Sequence, residues 1–301
     1  MAIGRSGFAD PDLDAEISRI LGRRFRTLAA SPVGGGCIND ALVIESDDAR
    51  YFVKFNDESR LPMFEAEADG LRELAASRTV RVPEPLCAGT TGGRAFLVLE
   101  YLDLGPASAR AARTLGGQLA HMHSVKREYF GWGRDNSIGT TPQPNEPCDA
   151  WPEFFRRRRL GHQLALLDAA QSGAGALCSK GQRLCDGVDR FFSGYEVFPS
   201  LLHGDLWGGN FSALAGDEPV IFDPAVYYGD RETDIAMTEL FGGFSGEFYN
   251  AYSSVSPLDA GYRVRRDLYK LYHVLNHVNL FGAGYAGQAE QLMDALLAEL
   301  G

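Results

Sequence analysis

Cysteine is scarce in this chain, and its placement excludes two common structural devices. The 301 residues contain five cysteines, at positions 37, 87, 148, 178 and 185, and no two of them form a Cys-x-x-Cys pair. An odd and scattered set of this kind is typical of neither a disulfide framework nor a zinc site. Residues 1–14 also lack the apolar segment of a secretion signal. We therefore expect a reduced, cytoplasmic protein.

Basic residues and long apolar runs are also few. Lys and Arg number 29 against 40 Asp and Glu, which gives a formal net charge of −11. Because nucleic-acid binding depends on neutralising phosphates with basic side chains, this balance argues against a nucleic-acid partner. No apolar run approaches the roughly 20 residues of a membrane span, so no membrane partner is expected. The basic run at 156–159 favours a solvated helix face, with an anion or partner contact as the alternative.

The residues that are present indicate a folded chain of two unequal lobes. Apolar residues make up 45% of the sequence, enough for a sizeable core. Strand-like segments dominate the first hundred residues, whereas helical spacing dominates after Asp103. Gly105-Pro106 marks a hinge at this change. We predict an α+β, bilobal protein-kinase-like fold, with residues 1–101 as a small sheet-rich N-lobe and residues 102–301 as a larger, mainly helical C-lobe.

Periodicity and turn residues predict the individual elements. Helices are expected at 11–21, 63–75, 108–124, 152–170, 176–193, 234–252, 260–281 and 286–300. Strands are expected at 25–31, 38–46, 51–55 and 95–102. The stretch 131–150, rich in Gly, Pro and Asn, is expected to be a long surface loop.

The segment His-Gly-Asp-Leu-Trp-Gly-Gly-Asn at 203–210, followed by Ile-Phe-Asp at 221–223, carries the most specific signal. Asp205, Asn210 and Asp223 have the order and approximate spacing of the kinase catalytic loop and metal-binding aspartate. In that arrangement the first carboxylate takes the proton of the acceptor hydroxyl, and the other two groups hold Mg²⁺, which prefers oxygen ligands. We predict Asp205 as the catalytic base and Asn210 and Asp223 as magnesium ligands. His203 is expected to be structural.

The N-lobe supplies matching residues for ATP. Gly34, Gly35, Gly36 and Cys37 join two strands, where glycine lets backbone N–H groups approach phosphate oxygens. Lys54 lies on the next strand, at the place where a kinase carries its phosphate-contacting lysine.

Glu67 is the preferred partner of Lys54, with Glu65 as the competitor. Glu67 shares a helix face with Leu71 and Leu74, and this face turns toward the sheet. At the lobe boundary the segment Glu100, Tyr101 and Leu102 is expected, by position, to offer backbone groups to the adenine edge.

Three departures separate this chain from protein kinases. Gly204 stands where many protein kinases carry an arginine, and Asp223 is followed by Pro224 and not by Phe-Gly. No Ala-Pro-Glu segment follows. These features point to small-molecule kinases that share the protein-kinase core, such as aminoglycoside and choline kinases.

Five motifs narrow the resemblance further. They lie at 34–39, 203–210, 222–232, 237–244 and 272–277, and together they resemble the fructosamine/ketosamine 3-kinase family. The resemblance runs from about residue 20 to the C-terminus. It implies transfer of the ATP γ-phosphate to the 3-hydroxyl of a ketosamine, in the removal of glycation adducts. The alternatives are another small-molecule kinase, acting on an aminoglycoside, choline or amino sugar, and a nucleotide-binding pseudokinase scaffold.

The acceptor pocket is the least specified part. A ketosamine carries a basic nitrogen, and the acidic cluster Asp230, Glu232, Asp234 and Glu239 follows the metal aspartate. We predict Asp230 as an amine contact and Trp207 and Tyr227 as sugar contacts. The alternatives are structural roles, in which Asp234 supports its helix and Asp230 pairs with Arg231.

Cys37 adds a hypothesis about assembly. Backbone donors around it would favour a thiolate. If the loop is exposed, oxidation there would block ATP, so the protein is expected to be a monomer or a redox-sensitive dimer. The alternative is that Cys37 is an inert loop residue.

Overall fold

The computed structural model describes residues 10–34, 38–170 and 175–301. Its strands are Thr27–Val33 (β1), Asp40–Ser46 (β2), Arg50–Asp57 (β3), Pro85–Thr91 (β4), Arg94–Glu100 (β5), Asn136–Ile138 (β6), Thr141–Gln143 (β7), Ser200–Leu202 (β8), Phe211–Ala213 (β9), Pro219–Ile221 (β10) and Tyr227–Gly229 (β11). Its α-helices are Pro11–Leu21 (α1), Leu61–Ala76 (α2), Ala109–Met122 (α3), Trp151–Phe154 (α4), Gly161–Ala170 (α5), Gly175–Gly187 (α6), Glu232–Thr238 (α7), Gly246–Val255 (α8), Tyr262–Phe281 (α9) and Ala286–Glu299 (α10).

The first five strands form one antiparallel sheet in the order β1-β2-β3-β5-β4. Side chains alternate across β5, so that Phe96 and Val98 pack under α1, whereas Leu97 and Leu99 join the core that contains α2. A helix therefore covers each face of the sheet. This arrangement explains the continuous apolar run of β5, because both of its faces are buried.

After β5 the chain is mainly helical, and α9 is its central element. Ten of the 20 residues of α9 are buried, including Tyr269 and Tyr272. Short two-stranded ladders, β8 with β11 and β9 with β10, hold the loops between the helices. The sheet-rich N-terminal part and the helical C-terminal part confirm the α+β prediction. The division at residue 101 stays a prediction.

Two expected elements differ from the structure. The stretch 131–150 is not a surface loop, because Trp132, Ile138 and Asn145 are buried in it and β6 and β7 pair there. The helix expected at 234–252 is two helices, α7 and α8. Gly242 and Gly243 separate them with φ of 91° and 72°, a conformation that costs glycine little and other residues more.

The basic run is partly solvated, as predicted, at Arg156 to Arg158, but it departs from a solvated face at Arg159. Residues 155–160 form a π-helical turn, and Arg159 within it is fully buried. Its guanidinium donates to Pro144 O at 2.7 Å and to Asn145 Oδ1 at 2.7 Å, and it stacks on the ring of Tyr227. Arg159 therefore anchors the 131–150 stretch to the helical core.

No helix in the described part of the chain combines the length and the apolar content that a membrane span requires.

Candidate active site

The catalytic-loop residues follow β8, and a glycine lets the loop turn there. Gly204 has φ of 83°, and a Cβ at this position would collide with the backbone carbonyl of Ala225. The close approach is fixed by a hydrogen bond from Ala225 N to His203 O, at 2.8 Å. An arginine at position 204 would have no room, which explains the departure from the protein-kinase pattern.

Asp234 fixes this turn through hydrogen bonds to its backbone. Its buried carboxylate accepts hydrogen bonds from the backbone N–H groups of His203, at 2.7 Å, and Gly204, at 2.8 Å. His123 Nε2 lies 3.2 Å from the same carboxylate. Burial alone would raise the pKa of Asp234, but the hydrogen bond from His123 and the further donors hold it below its usual value. An ionised aspartate thus fixes the catalytic loop on α7.

His203 has the structural role expected of it. It is buried, and its Nε2 lies 3.0 Å from the carbonyl oxygen of Phe222, which can only accept. Its Nδ1 accepts the backbone N–H of Asp205 at 3.3 Å. Burial lowers the pKa of His203, so the ring is neutral and ties the catalytic loop to the metal-aspartate segment.

A β-hairpin brings Asn210 and Asp223 together. Phe211 of β9 pairs with Ile221 of β10, and Phe222 N donates to Asn210 O at 3.1 Å. The residues just outside the hairpin therefore meet, which accounts for the spacing between them. Asn210 Nδ2 donates to Asp205 O at 2.8 Å and lies 3.5 Å from Asp205 Oδ2.

Asp205 lies close enough to Asp223 to be affected by its negative charge. Burial, together with the negative charges of Asp223 and Asp234, raises the pKa of Asp205 to about 7. Asp223 has φ of 57°, a left-handed conformation that a non-glycine residue adopts at some cost and that is frequent at functional sites.

Lys54 connects the two lobes of the cleft. Val53 and Phe55 pack under α1, so strand alternation turns Lys54 to the opposite face of the sheet. There its Nζ lies 2.5 Å from Glu67 Oε1 and 2.5 Å from Asp223 Oδ1. Burial alone would lower the pKa of Lys54, but the two carboxylates raise it and keep the ammonium charged. The expected pair with Glu67 is present, and Glu65 instead faces Arg134 at 3.5 Å.

The expected nucleotide segments line the same cleft where the structure describes them. Gly34, Glu100, Tyr101 and Leu102 all border it. The Glu100 carboxylate accepts from Arg81 and from Glu84 N, so its side chain braces the boundary segment. The predictions for Gly35, Gly36 and Cys37 concern residues outside the described ranges.

The cleft has a volume of about 1010 Å³ and also borders Asp205, Asn210 and Asp223. Its donor set fits Mg²⁺, a cation that favours carboxylate and amide oxygens. Lys54 contacts one carboxylate oxygen of Asp223, and the hydrogen bonds of Asn210 use its amide nitrogen. One oxygen of each residue therefore stays available as a ligand.

Two predicted substrate contacts are corrected by the packing. Tyr227 does not border the cleft, because its ring is fully buried under the guanidinium of Arg159, 4.0 Å away. Asp230 is buried as well and accepts hydrogen bonds from Tyr269, at 2.5 Å, and Tyr195, at 3.1 Å. Only Trp207 of the three borders the cleft, with 39% of its surface exposed.

The other members of the acidic cluster also have hydrogen-bond or ion-pair partners outside the cleft. Glu232 is buried against Arg265, with 2.7 Å between Nε and Oε2, and Asp234 holds the catalytic loop. Glu239 accepts from Tyr262 at 2.7 Å and lies 3.3 Å from Lys270. The cluster therefore stabilises the helical core and does not face the cleft.

Sequence reasoning missed the other wall of the cleft. The wall consists of residues from 136–139, the segment after α7, and α9 with the turn that follows it. The motifs at 237–244 and 272–277 contain Phe241 and His277, so a signal existed. These motifs did not show which of their side chains face the cleft. The helix α9 is apolar on several sides, and only its packing shows which of its residues meet the cleft.

Comparison with known proteins places these features in one family. A family model described as fructosamine kinase matches residues 10–299. A relative from Synechocystis, named a probable ketoamine kinase, is 46% identical over 94% of this chain and 95% of its own length. A chloroplastic protein-ribulosamine 3-kinase of Oryza sativa subsp. japonica is 43% identical, over 93% of this chain and 82% of its own.

A solved structure shows the same fold. It comes from Haemophilus somnus 129PT and is described as a candidate fructosamine-3-kinase. It is 28% identical to this chain, covers 95% of this chain and 97% of its own, and superposes with a TM-score of 0.86. The bilobal protein-kinase-like fold expected from the motifs is thus confirmed.

Proposed function

This chain belongs to the fructosamine kinase family, and from that we propose that it is an ATP-dependent kinase that phosphorylates the 3-hydroxyl of a ketosamine. The acceptor is a fructosamine or ribulosamine, and the proposed purpose is the removal of glycation adducts. Relatives named as ketoamine kinase and ribulosamine 3-kinase, aligned over most of the chain, support this choice over other phosphotransferases.

The observation that carries the proposal is the position of Lys54 between two carboxylates from distant parts of the chain. Glu67 comes from α2 and Asp223 from the segment after β10, and both lie 2.5 Å from the ammonium group. Active kinases align ATP phosphates with a lysine and glutamate pair beside a metal-binding aspartate. The same geometry favours an active enzyme over a pseudokinase scaffold.

The proposed reaction needs one proton acceptor. Asp205 takes the proton of the acceptor hydroxyl as the oxygen forms its bond to the γ-phosphorus and the bond to the leaving ADP breaks. Lys54 neutralises phosphate charge, and Glu67 keeps the lysine in place. Asn210 and Asp223 are the proposed magnesium ligands, and the bound cation would offset charge on the phosphate oxygens.

The nucleotide has proposed contacts both at its phosphates and at its adenine. Gly34 and the glycines after it are proposed to cover the phosphates, and residues 100–102 to meet the adenine with backbone groups. Trp207 is the proposed sugar contact, because it is exposed in the cleft two residues after Asp205. The cytoplasm is the proposed compartment, and a monomer or redox-sensitive dimer the proposed assembly.

A kinase assay against a panel of acceptors tests the function. ADP release would be measured with ribulosamines, fructosamines, aminoglycosides and no acceptor, and the product's phosphate position assigned by NMR. We expect ADP release that depends on the ketosamines and a 3-phosphate product. Release with aminoglycosides alone would point to another small-molecule kinase, and ATP binding without turnover on any acceptor would point to a scaffold.

A further inference from the structure

Five aromatic rings form a continuous surface at one part of the cleft. We call it the aromatic wall, and its members are Trp207, Phe241, His277, Phe281 and Tyr285. The Phe241 ring lies 6.1 Å from Trp207 and 4.7 Å from His277 between centroids. His277 lies 5.4 Å from Phe281 and 5.1 Å from Tyr285. The catalytic loop, the segment after α7, and α9 with its following turn thus build one surface.

The wall borders the cleft, and within the described structure three of its rings are half-buried and two are exposed. Phe281 is 52% exposed and Trp207 is 39% exposed. Large aromatic side chains exposed together in a concave site are typical of ligand recognition.

His277 contributes a neutral ring to the wall. Its Nδ1 lies 2.8 Å from the carbonyl oxygen of His273, which can only accept, so Nδ1 carries the proton. Burial lowers the pKa of His277, which keeps the second proton off the ring. Nε2 is then a hydrogen-bond acceptor, and the wall holds no positive charge that would repel a cationic ligand.

Each carboxylate in the described lining of the cleft already has another partner or role. Glu67 and Asp223 contact Lys54, Glu100 contacts Arg81, and Asp205 is the proposed base. The acidic residues that the sequence suggested for the amine are in ion pairs or hydrogen bonds of the core. An ammonium group in the acceptor therefore needs a different partner.

We propose that the aromatic wall binds the alkylammonium group of the acceptor through its ring faces, so that a cation–π contact replaces the expected carboxylate. Aromatic cages recognise ammonium ligands in this way, because the ring face is the negative end of its quadrupole. The neutral His277 accepts an N–H of the same group. This inference rests on the proposed ketosamine kinase function and adds the chemical basis of its selectivity for amines.

The test compares two acceptors of the same shape, one with an ammonium group and one without it. One is the ribulosamine of n-butylamine, and the other is its ether analogue, in which oxygen replaces the amine nitrogen. Both keep the same 3-hydroxyl. At neutral pH we expect the wild-type protein to prefer the amine in kcat/KM by about two-fold to thirty-fold, the range that cation–π contacts supply.

Substitutions in the aromatic wall test whether its rings produce the preference for the amine. Phe241→Leu and Phe281→Leu should raise KM for the amine, bring the preference close to one and leave KM for ATP unchanged. Phe281→Tyr keeps the ring and should keep the preference. Phe198→Leu is the matched control, because Phe198 is 46% exposed and does not border the cleft. Thermal melting of each variant checks that it is folded.

The outcomes are distinguishable. Equal kcat/KM for amine and ether in the wild type, or an equal loss for both in the leucine variants, would overturn the cation–π assignment and leave the kinase function standing. If neither acceptor supports ADP release, the proposed function fails and this inference fails with it.

Discussion

At the scale of single residues, the site places two carboxylates on one lysine and a third carboxylate in the same cleft. Lys54 contacts Glu67 and Asp223, and burial together with the negative charges of Asp223 and Asp234 raises the pKa of Asp205 to about 7. One ammonium group does not neutralise three carboxylates. The excess negative charge is the physical reason to expect a divalent cation here, since a cation relieves this repulsion when it binds.

Replacing Asp205 by Asn should separate catalysis from folding. The amide keeps the shape of the side chain but cannot take a proton, so we expect kcat to fall by about 10²–10⁴-fold. Steady-state kinetics with a ketosamine checks this. The exposed Asp103→Asn is the matched control, and near-normal turnover in Asp205→Asn would refute the assignment of the base.

The same variant gives a prediction about pH. The folded pKa of Asp205 is raised above its unfolded value, so stability is fully present at low pH and is lost as pH rises through about 7. In EDTA, Asp205→Asn should therefore melt at a higher temperature than the wild type at pH values above 7. The advantage should disappear below the unfolded pKa, near pH 4. A constant difference across this range would contradict the raised pKa.

Asp223→Asn should raise the magnesium requirement. It removes one charged oxygen ligand, so we expect the half-maximal Mg²⁺ concentration to rise roughly ten-fold or more. Glu67→Gln is the control, because it also takes a carboxylate from Lys54 but leaves the proposed metal ligands intact. It should raise KM for ATP without moving the magnesium titration. An unchanged titration in Asp223→Asn would argue against the metal role.

At the scale of elements, α2 is held in place by the C-terminal part of the chain. Glu65, Asp69 and Glu73 lie at i, i+4 and i+8 and form one acidic face of the helix. Arg134 contacts Glu65 and Asp69, the latter at 2.6 Å. Glu73 accepts from Arg127 at 2.8 Å and from Tyr228 at 2.6 Å.

These contacts keep α2 in the position that directs Glu67 at Lys54. Gly70 on the same helix approaches Val226 so closely that an added Cβ would lie 3.1 Å from its side chain. The helix therefore packs directly against the segment after Asp223. The structure thus favours a kinase whose lysine–glutamate pair needs no separate activating step.

Loss of the Glu73 contacts should weaken ATP binding. Tyr228→Phe removes a hydrogen bond worth about 1 kcal/mol, and Glu73→Gln removes the charge that pairs with Arg127, so we expect KM for ATP to rise roughly five-fold. Glu65→Gln is the control, because its contact with Arg134 is long and exposed. An effect on kcat alone, with KM for ATP unchanged, would contradict a positioning role for this face of α2.

Asp234 should be needed for the stability of the catalytic loop. Asp234→Asn replaces one acceptor oxygen by a donor that faces backbone N–H groups, so we expect a loss of about 2–4 kcal/mol. Urea unfolding at neutral pH measures it. The pKa of Asp234 is lowered on folding, so its stabilisation should persist down to about pH 4 and fade only below it. A difference that already shrinks near pH 6 would contradict this sign.

At the scale of the whole molecule, the described residues form two hydrophobic cores, one on each face of the N-terminal sheet. The smaller core lies between α1 and the outer face of the sheet, and the larger one runs from α2 through the helical part. Charged groups are buried in the larger core where α7 meets α9. Glu232 and Arg265 pair there, with almost no exposure of either side chain.

Breaking this pair should destabilise the whole protein. Glu232→Gln leaves the buried guanidinium of Arg265 with Asp259 as its remaining carboxylate, so we expect a loss of about 3 kcal/mol in the free energy of unfolding, the lower end for a broken buried pair. The double variant Glu232→Leu with Arg265→Met removes both charges and should cost less than the single change. Denaturant unfolding measures both. A double variant less stable than Glu232→Gln would show that the pair itself is a net source of stability.

The sequence by itself determined the features that depend on local spacing. Strand alternation and helix phase are short-range properties, and they were enough to pair Lys54 with Glu67 and not with Glu65. The spacing of Asp205, Asn210 and Asp223 reflects one turn and one hairpin, both encoded within about twenty residues. These motifs also identified the fold class and the family.

Only the tertiary structure decided which polar and aromatic residues face the cleft. Asp230 and Tyr227 follow the metal aspartate as a substrate-binding residue would, but α9 and Arg159 bury them. Phe241, His277 and Tyr285 are distant from Asp205 in the chain, and the packing of α9 brings them to the same cleft. Burial is set by contacts between residues far apart in sequence, and local periodicity carries no information about those contacts.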